Sequence, residues 1–340
     1  MAQGDSFSRV SPEKAGFSSD SLQKIASFLE ESGSSSLVLA YDGHIFFEWG
    51  DIYRKHTVHS IRKPLLNSLF GVYVGRGVID TAQTLRELGI DDISPSLSET
   101  EKSARIADLL KSRSGIYHNA AAVSQAMAAG KPARGTHRPG EAYYYNNWDF
   151  NTLGAIFEQL TGKPIYEAFN SDIARPLGMQ QYSGTYDTLK VEPDVDTLSI
   201  PQADGFYQFE RWKSRHPAYH FRMSAHDLAL YGTLYLNEGQ WGGRQIIPKE
   251  WIAASTRPYS VTNKQLDFGY GMLWNVIRKN ESRSSRSYFH TGAGIHMLGI
   301  YPASKLVMVH RVNTEGEYAF PQQNLYRIIS LIFSSKTGDS

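Results

Sequence analysis

A serine and a lysine three residues apart, Ser60 and Lys63, open an apolar stretch running from Pro64 to Val74. A helix turns once every ~3.6 residues, so positions i and i+3 share a face and a hydroxyl and an amine at that spacing can touch. Pro64 lacks an N–H and is tolerated in a helix's first turn. That puts Ser60 at the helix N-terminus, where free N–H groups and the positive dipole end stabilise developing negative charge. A serine becomes a nucleophile beside a base, and a desolvated lysine can be one. Ser11 with Lys14 and Ser21 with Lys24 share the spacing. The first pair reads as a turn or helix start, and Lys24 falls on the polar side of an amphipathic helix. Two later stretches set the first motif apart. Tyr143-Tyr144-Tyr145-Asn146-Asn147 stands just ahead of a helical pattern, and Tyr288-Phe289-His290-Thr291-Gly292-Ala293-Gly294 is a strand pattern running into a glycine-rich break.

These residues need a frame. Residues 19–32 predict a helix with Leu22, Ile25, Phe28 and Leu29 on one face and Ser19 or Asp20 as cap. Ser36–Tyr41 and His44–Trp49 read as two strands joined at Asp42-Gly43, a strong hairpin signal. Residues 72–255 read as mainly helical with long loops. Ser103 is expected to cap a helix through Ile106, Leu109 and Leu110; Gly162 to close one through Phe150, Leu153, Ile156 and Leu160; and Ser224, with Asp227 three residues on, to start one running to Gly239. Tyr182 to His220 shows little periodicity and many aromatics, and reads as one long loop. From about residue 267 short apolar strands follow: Phe268–Val276, Ser287–Thr291, Ile295–Tyr301 and Leu306–Val312. A helix over 322–334 closes the pattern. The expected class is therefore α+β. Residues 1–57 and 256–340 form an α/β domain around one antiparallel sheet built from both chain ends and flanked by helices. Residues 58–255 form a mainly helical inserted domain, with the active site in the cleft between.

The chain has 340 residues, 41% of them hydrophobic, enough to bury a sizeable core. A net charge of +1 without a basic stripe gives no support to nucleic-acid binding. Without cysteine, disulfides, thiolate metal sites and cysteine nucleophiles are excluded. No apolar run reaches the ~18 residues of a membrane span. The start, Met1-Ala2-Gln3-Gly4, has neither a basic nor an apolar leader region, so it reads as a cytoplasmic start or as a mature chain after signal removal. His56 and His59 lack a carboxylate at useful local spacing, so no metal is expected there. Adjacent His226 and Asp227 face different ways on a helix and make no triad fragment.

In this order, Ser60-x-x-Lys63, Tyr145-x-Asn147 and the His290-Thr291-Gly292 strand resemble the motifs of the serine β-lactamase and penicillin-binding-protein superfamily. The resemblance is closest to class C β-lactamases and family VIII esterases and covers roughly residues 10–335. Leu109 to Gly115, Leu153-Gly154 with Leu160-Thr161-Gly162, and Phe268-Gly269-Tyr270-Gly271-Met272 extend it. Tyr144 and Asn146 also fit Tyr-x-Asn. Tyr145 and Asn147 are preferred because the family places a Leu-Gly so that Gly154 falls nine residues after the tyrosine. A literal Lys336-Thr337-Gly338 is set aside as a frayed polar tail, because only two residues follow it.

The resemblance implies the β-lactamase/transpeptidase-like fold and a serine hydrolase working through an acyl-enzyme, with no cofactor and no metal. Ser60 attacks, Lys63 takes or relays its proton, and Tyr145 partners Lys63 and protonates the leaving group. Asn147 holds Lys63 and a substrate carbonyl, and the N–H groups of Ser60 and Ala293 form the oxyanion hole. His290, Thr291 and Gly292 shape the strand beside the substrate. Where β-lactamases commonly carry lysine, His290 is neutral more often, which weakens recognition of an anionic substrate terminus. Small esters or amides are the expected substrates, with esters ahead. The alternatives are a β-lactamase or D,D-carboxypeptidase/D-aminopeptidase, an acyl transferase, and a catalytically silent penicillin-binding-like sensor. Tyr117, Tyr143, Trp148, Tyr207 and Trp212 could line an acyl pocket or simply pack in the core. The resemblance favours a periplasmic or secreted protein, with a cytoplasmic one as the alternative. Oligomeric state stays open.

Overall fold

The hairpin at Asp42-Gly43 forms as its sequence implies. β1 (Ser36–Tyr41) and β2 (His44–Gly50) pair antiparallel across Asp42 and Gly43, whose φ of 49° and 82° are the left-handed values such a turn requires. In this computed structural model, residues 7–193 and 198–337 are described. The Met1–Gly4 start, Asp194–Thr197 of the long aromatic stretch, and Gly338 lie outside them.

After β2 come the two-residue strand β3 (His56–Thr57), a 3-10 turn over His59–Ile61, and α2 (Arg62–Gly75); α1 is Ser19–Ser32. The helical region continues with α3 (Glu99–Lys102), α4 (Ile106–Leu110), α5 (Gln125–Ala129), α6 (Asn147–Thr161), α7 (Ile165–Phe169) and α8 (Arg175–Leu177). Strands β4 (Tyr186–Lys190), β5 (Gly205–Phe209) and β6 (Ala218–Met223) follow, then α9 (Ala225–Leu236), the small hairpin β7 (Gln240–Trp241) and β8 (Arg244–Gln245), and α10 (Lys249–Ser255). The chain ends with β9 (Ser260–Asn263), β10 (Phe268–Tyr270), β11 (Asn275–Ile277), β12 (Ser287–Gly292), β13 (His296–Tyr301), β14 (Leu306–Arg311) and α11 (Gln322–Ser334).

The large sheet joins both chain ends in the order β2-β1-β14-β13-β12-β11-β10-β9, antiparallel throughout. Its central strands are covered on both faces, which is why they read as continuous apolar runs. Leu37 and Leu39 of β1, Met297 of β13, and Leu306 and Met308 of β14 face a cluster with Leu22, Ile25 and Leu29 of α1 and Leu325, Ile328 and Ile332 of α11. The alternate residues Val38, Ala40, Leu298, Val307 and Val309 face the second cluster with α2, α6 and α9. Gly232 lets α9 lie close on the sheet, since a Cβ there would stand 2.5 Å from Val307 Cγ1. α2 is buried on nearly every side, as a helix apolar all round must be.

Four expectations are corrected. Ser103 is the C-cap of α3; α4 starts after Arg105, whose N–H donates to Asp108 Oδ2 at 2.9 Å. The Tyr182–His220 stretch is not one loop, because β4, β5 and β6 form a second sheet with β3, in the order β3-β6-β5-β4. Its residues alternate too briefly to stand out as strands. Phe268–Val276 is two strands broken at Gly271–Trp274. The C-terminal tail is tied down through Thr337: Ser18 N–H donates to Ser335 O at 2.9 Å and Thr337 N–H to Gly16 O at 2.8 Å, so Lys336 and Thr337 pair with the N-terminal segment.

Candidate active site

Ser60 sits in the 3-10 turn that leads into α2, and Lys63 in the first turn of that helix. His59, just before the serine, has a φ of 49°, a left-handed conformation uncommon for a residue with a side chain. It turns the chain sharply out of β3. Lys63 Nζ and Ser60 Oγ are hydrogen-bonded at 2.8 Å. Lys63 is buried, with its Nζ 4.6 Å from the ring centroids of both Tyr145 and Phe150. Burial, reinforced by the Arg62 charge, pulls its amine well below the usual lysine range.

Tyr145, not Tyr144, is the tyrosine beside Lys63. The Tyr144 hydroxyl turns away to donate to Met127 O at 2.6 Å, and Asn146 is the N-cap of α6. The Tyr145 ring stands 4.6 Å from Lys63 Nζ, 4.9 Å from Phe150 and 6.2 Å from His290, with its hydroxyl on the Ser60 side. Burial raises the phenol's pKa and the Ser60 contact lowers it less, so the hydroxyl keeps its proton in the resting site. Asn147 opens α6. Its Nδ2 donates to Ala122 O at 2.5 Å rather than to Ser60 or Lys63, so the expected hold on Lys63 is not made, and its buried Oδ1 has no partner among the described residues.

β12 supplies the other wall. His290 is buried, and its Nδ1 donates to Thr291 O at 2.9 Å. That bond fixes the proton on Nδ1 and leaves Nε2 a bare acceptor, without a partner among the described residues. Burial, with Lys63 nearby, lowers the imidazole to about 3, so the ring is neutral. Thr291 pairs with Met297, and Gly292, which ends the pairing opposite His296, meets the turn ahead of Ser60: a Cβ there would stand 2.3 Å from Val58 O. Ala293 follows at the exposed tip with a φ of 50°. Ser60, Lys63, Tyr145 and the His290–Ala293 turn thus converge from α2, α6 and β12.

Of the five aromatics proposed for an acyl pocket, Trp212 lines a cavity of about 340 Å³ beside Asn147, together with Val123, Met127 and Lys131. Trp148 is committed to Asp92 Oδ2 at 2.6 Å, Tyr117 to His137, Tyr207 to Glu158, and Tyr143 packs on Tyr270. Arg62 had no account in the sequence. It is buried, donates to Tyr219 O at 2.7 Å and Asn151 Oδ1 at 3.1 Å, and stacks 4.4 Å over the Tyr219 ring. A second charged residue beside Lys63, at the start of a helix rich in apolar residues, was the signal that could have singled it out.

Several further imidazoles of the sheets and of the turn ahead of Ser60 are held in neutral form. Burial lowers His56, His59 and His310 to about 4 each. The unfolded chain binds protons on these rings below its ordinary value of ~6.5 while the native state does not. Stability therefore falls as pH drops from about 6.5 toward 4. The urea midpoint is expected to decline across that window as the unfolded chain's rings take up protons; a flat midpoint would mean that these rings are charged or exposed in the native state.

The fold and these converging groups define the beta-lactamase family, and the chain belongs to it: the family model described as Beta-lactamase matches residues 54–331. An Escherichia coli (strain K12) protein, provisionally named D-alanyl-D-alanine carboxypeptidase, is 23% identical over an alignment covering 92% of this chain and 87% of that protein. Among solved structures, a penicillin-binding protein homologue from Caulobacter crescentus superposes with a TM-score of 0.63 at 17% identity, covering 94% of this chain and 99% of that one. EstCE1, described as a hydrolase with promiscuous acyltransferase activity, superposes with a TM-score of 0.64 at 15% identity, over 92% and 98%. Among the described residues no helix is long and apolar enough to cross a membrane, and no group of three or more His, Asp or Glu could hold a metal ion.

Proposed function

We propose that this protein is a serine hydrolase that cleaves small, uncharged esters or amides through an acyl-enzyme on Ser60, with esters preferred. Lys63, in its neutral form, which burial favours, takes the Ser60 proton as Oγ bonds to the acyl carbon, and the N–H groups of Ser60 and Ala293 hold the oxyanion. Such a donor contributes about 2.7–4 kcal/mol in the transition state. Tyr145, protonated at rest, gives its proton to the leaving alkoxide or amine and is reprotonated from the lysinium. Water, deprotonated by the same pair, then attacks the acyl carbon, releasing the acid and restoring the Ser60 hydroxyl.

The observation that carries the choice of substrate is His290. A neutral ring with a bare Nε2 accepts a hydrogen bond and offers no positive charge to a carboxylate. That argues against substrates defined by an anionic terminus. The carboxypeptidase name of the Escherichia coli relative supports the second reading, a D,D-peptidase.

Intact-mass spectra after exposure to a fluorophosphonate, p-nitrophenyl butyrate and benzylpenicillin, on the native chain and Ser60→Ala, test the proposal. A Ser60-dependent phosphonyl mass with ester turnover and no lasting penicilloyl mass is the expected result. A Ser60-dependent penicilloyl adduct would replace it with the penicillin-recognising reading. Adducts unchanged in Ser60→Ala would remove Ser60 as the nucleophile.

A further inference from the structure

The turn that presents Ser60 carries strain at its shortest point. β3 has only two residues, and His59 holds a left-handed φ directly ahead of the nucleophile. A two-residue strand cannot hold such a turn by its own ladder, which consists of His56 opposite Met223 and Thr57 opposite Arg222. The additional restraint comes from the segment that follows β14. Glu315 Oε1 accepts from both Thr57 N–H and Thr57 Oγ1, each at 2.7 Å. The same carboxylate takes a two-pronged pair from Arg222, Nε at 2.7 Å and Nη2 at 2.8 Å. Thr314 Oγ1 pairs with His59 Nε2 at 2.7 Å. Beneath them, buried Arg311 donates to His56 O at 2.8 Å, Thr57 O at 3.0 Å and Met223 O at 2.7 Å. Both partners of the Thr57–Glu315–Arg222 bridge are largely screened from solvent, so the bridge is stronger than a surface pair.

The same turn also meets Gly292, where a Cβ would stand 2.3 Å from Val58 O. Residues 314–315 thus brace a turn that also abuts the strand leading to Ala293. A shift of that turn changes the distance between Ser60 Oγ and the Ala293 N–H without touching either.

We propose that Thr314 and Glu315 are positioning residues for the nucleophile: Thr314 holds His59 in its left-handed conformation, and Glu315 locks Thr57 to Arg222, so that Ser60 faces the Ala293 turn at reactive distance. The proposal rests on Ser60 being the nucleophile.

The test is the rate of fluorophosphonate labelling at saturating reagent, measured beside the thermal midpoint, for Thr314→Val, Thr314→Ser, Glu315→Gln and Ser60→Ala. Thr314→Val keeps the shape and removes the bond to His59. Its first-order labelling constant is expected to fall about tenfold with reagent affinity unchanged; Thr314→Ser restores the hydroxyl and the rate. Glu315→Gln keeps an acceptor for Thr57 but loses the ionic pair, and is expected to slow labelling several-fold in the same first-order constant. A labelling constant in Thr314→Val within twofold of the parent, or one that Thr314→Ser fails to restore, overturns the proposal. If Thr314→Val unfolds, the Glu315→Gln rate decides: unchanged labelling there overturns it as well. Labelling that survives in Ser60→Ala overturns the nucleophile assignment, and the positioning role with it; that outcome is distinct from an unaltered rate at an intact Ser60.

Discussion

Lys63→Met is expected to lower kcat/KM for p-nitrophenyl butyrate by about 10³-fold or more, with little change in the thermal midpoint. The side chain is buried, and its one hydrogen bond among the described residues goes to Ser60 Oγ at 2.8 Å. Methionine matches the length of the chain but has no basic lone pair, so the loss falls on proton removal rather than on packing. The native chain should also show the sign of the burial effect. A lysine base works only once it has lost its proton, so kcat/KM rises with pH through the Lys63 pKa and then levels off. Burial and the Arg62 charge place that rise well below the usual lysine value. Arg62→Gln removes one of the two causes and should move the rise to higher pH. If Lys63→Met retained the parent rate, or if the rise stood near pH 10.5 in the native chain, Lys63 would not be the base.

The second large effect is expected at Gly292→Ala. Gly292 has no left-handed φ to protect, so conformational freedom is not the issue. A Cβ would stand 2.3 Å from Val58 O and 3.2 Å from His59 Cβ, and the first neighbour is backbone that cannot rotate aside. Either the turn bearing Ser60 or the turn bearing Ala293 must give way. A displacement of the order of 1 Å in a reacting geometry costs about 10²-fold in rate. kcat for ester hydrolysis should fall by that order while KM changes much less. A variant with parent kcat would show that the two turns can separate without cost, and that the spacing set by the Val58–Gly292 contact is not what catalysis needs.

Local signals carried much of this protein. Asp42-Gly43 between apolar runs made the first hairpin, and Ser224 with Asp227 marked the start of α9, because turns and caps depend on neighbours in sequence. The apolar runs at Leu37–Ala40, Met297–Ile300 and Leu306–Val309 announced strands covered on both faces, and hence a sheet assembled from both chain ends. Ser60 and Lys63 could be paired because i and i+3 share a helix face, but Ser11 with Lys14 and Ser21 with Lys24 share that spacing; the order of three motifs singled the first pair out, and the family register chose Tyr145 over Tyr144. The small sheet β3-β6-β5-β4 was not: its strands are short, and their pairing partners lie far away in sequence. For the same reason nothing local pointed to Glu315, which reaches Thr57 across more than 250 residues. Nor could spacing tell that Asn147 would turn to Ala122 O, or that Nδ1 of His290 would be spent on Thr291 O. Motif order and periodicity announce which groups are present and which element carries them. The lowered pKa of Lys63, the neutral ring of His290 and the left-handed turn ahead of Ser60 arise from burial and from contacts between distant segments, which exist only once the chain has folded.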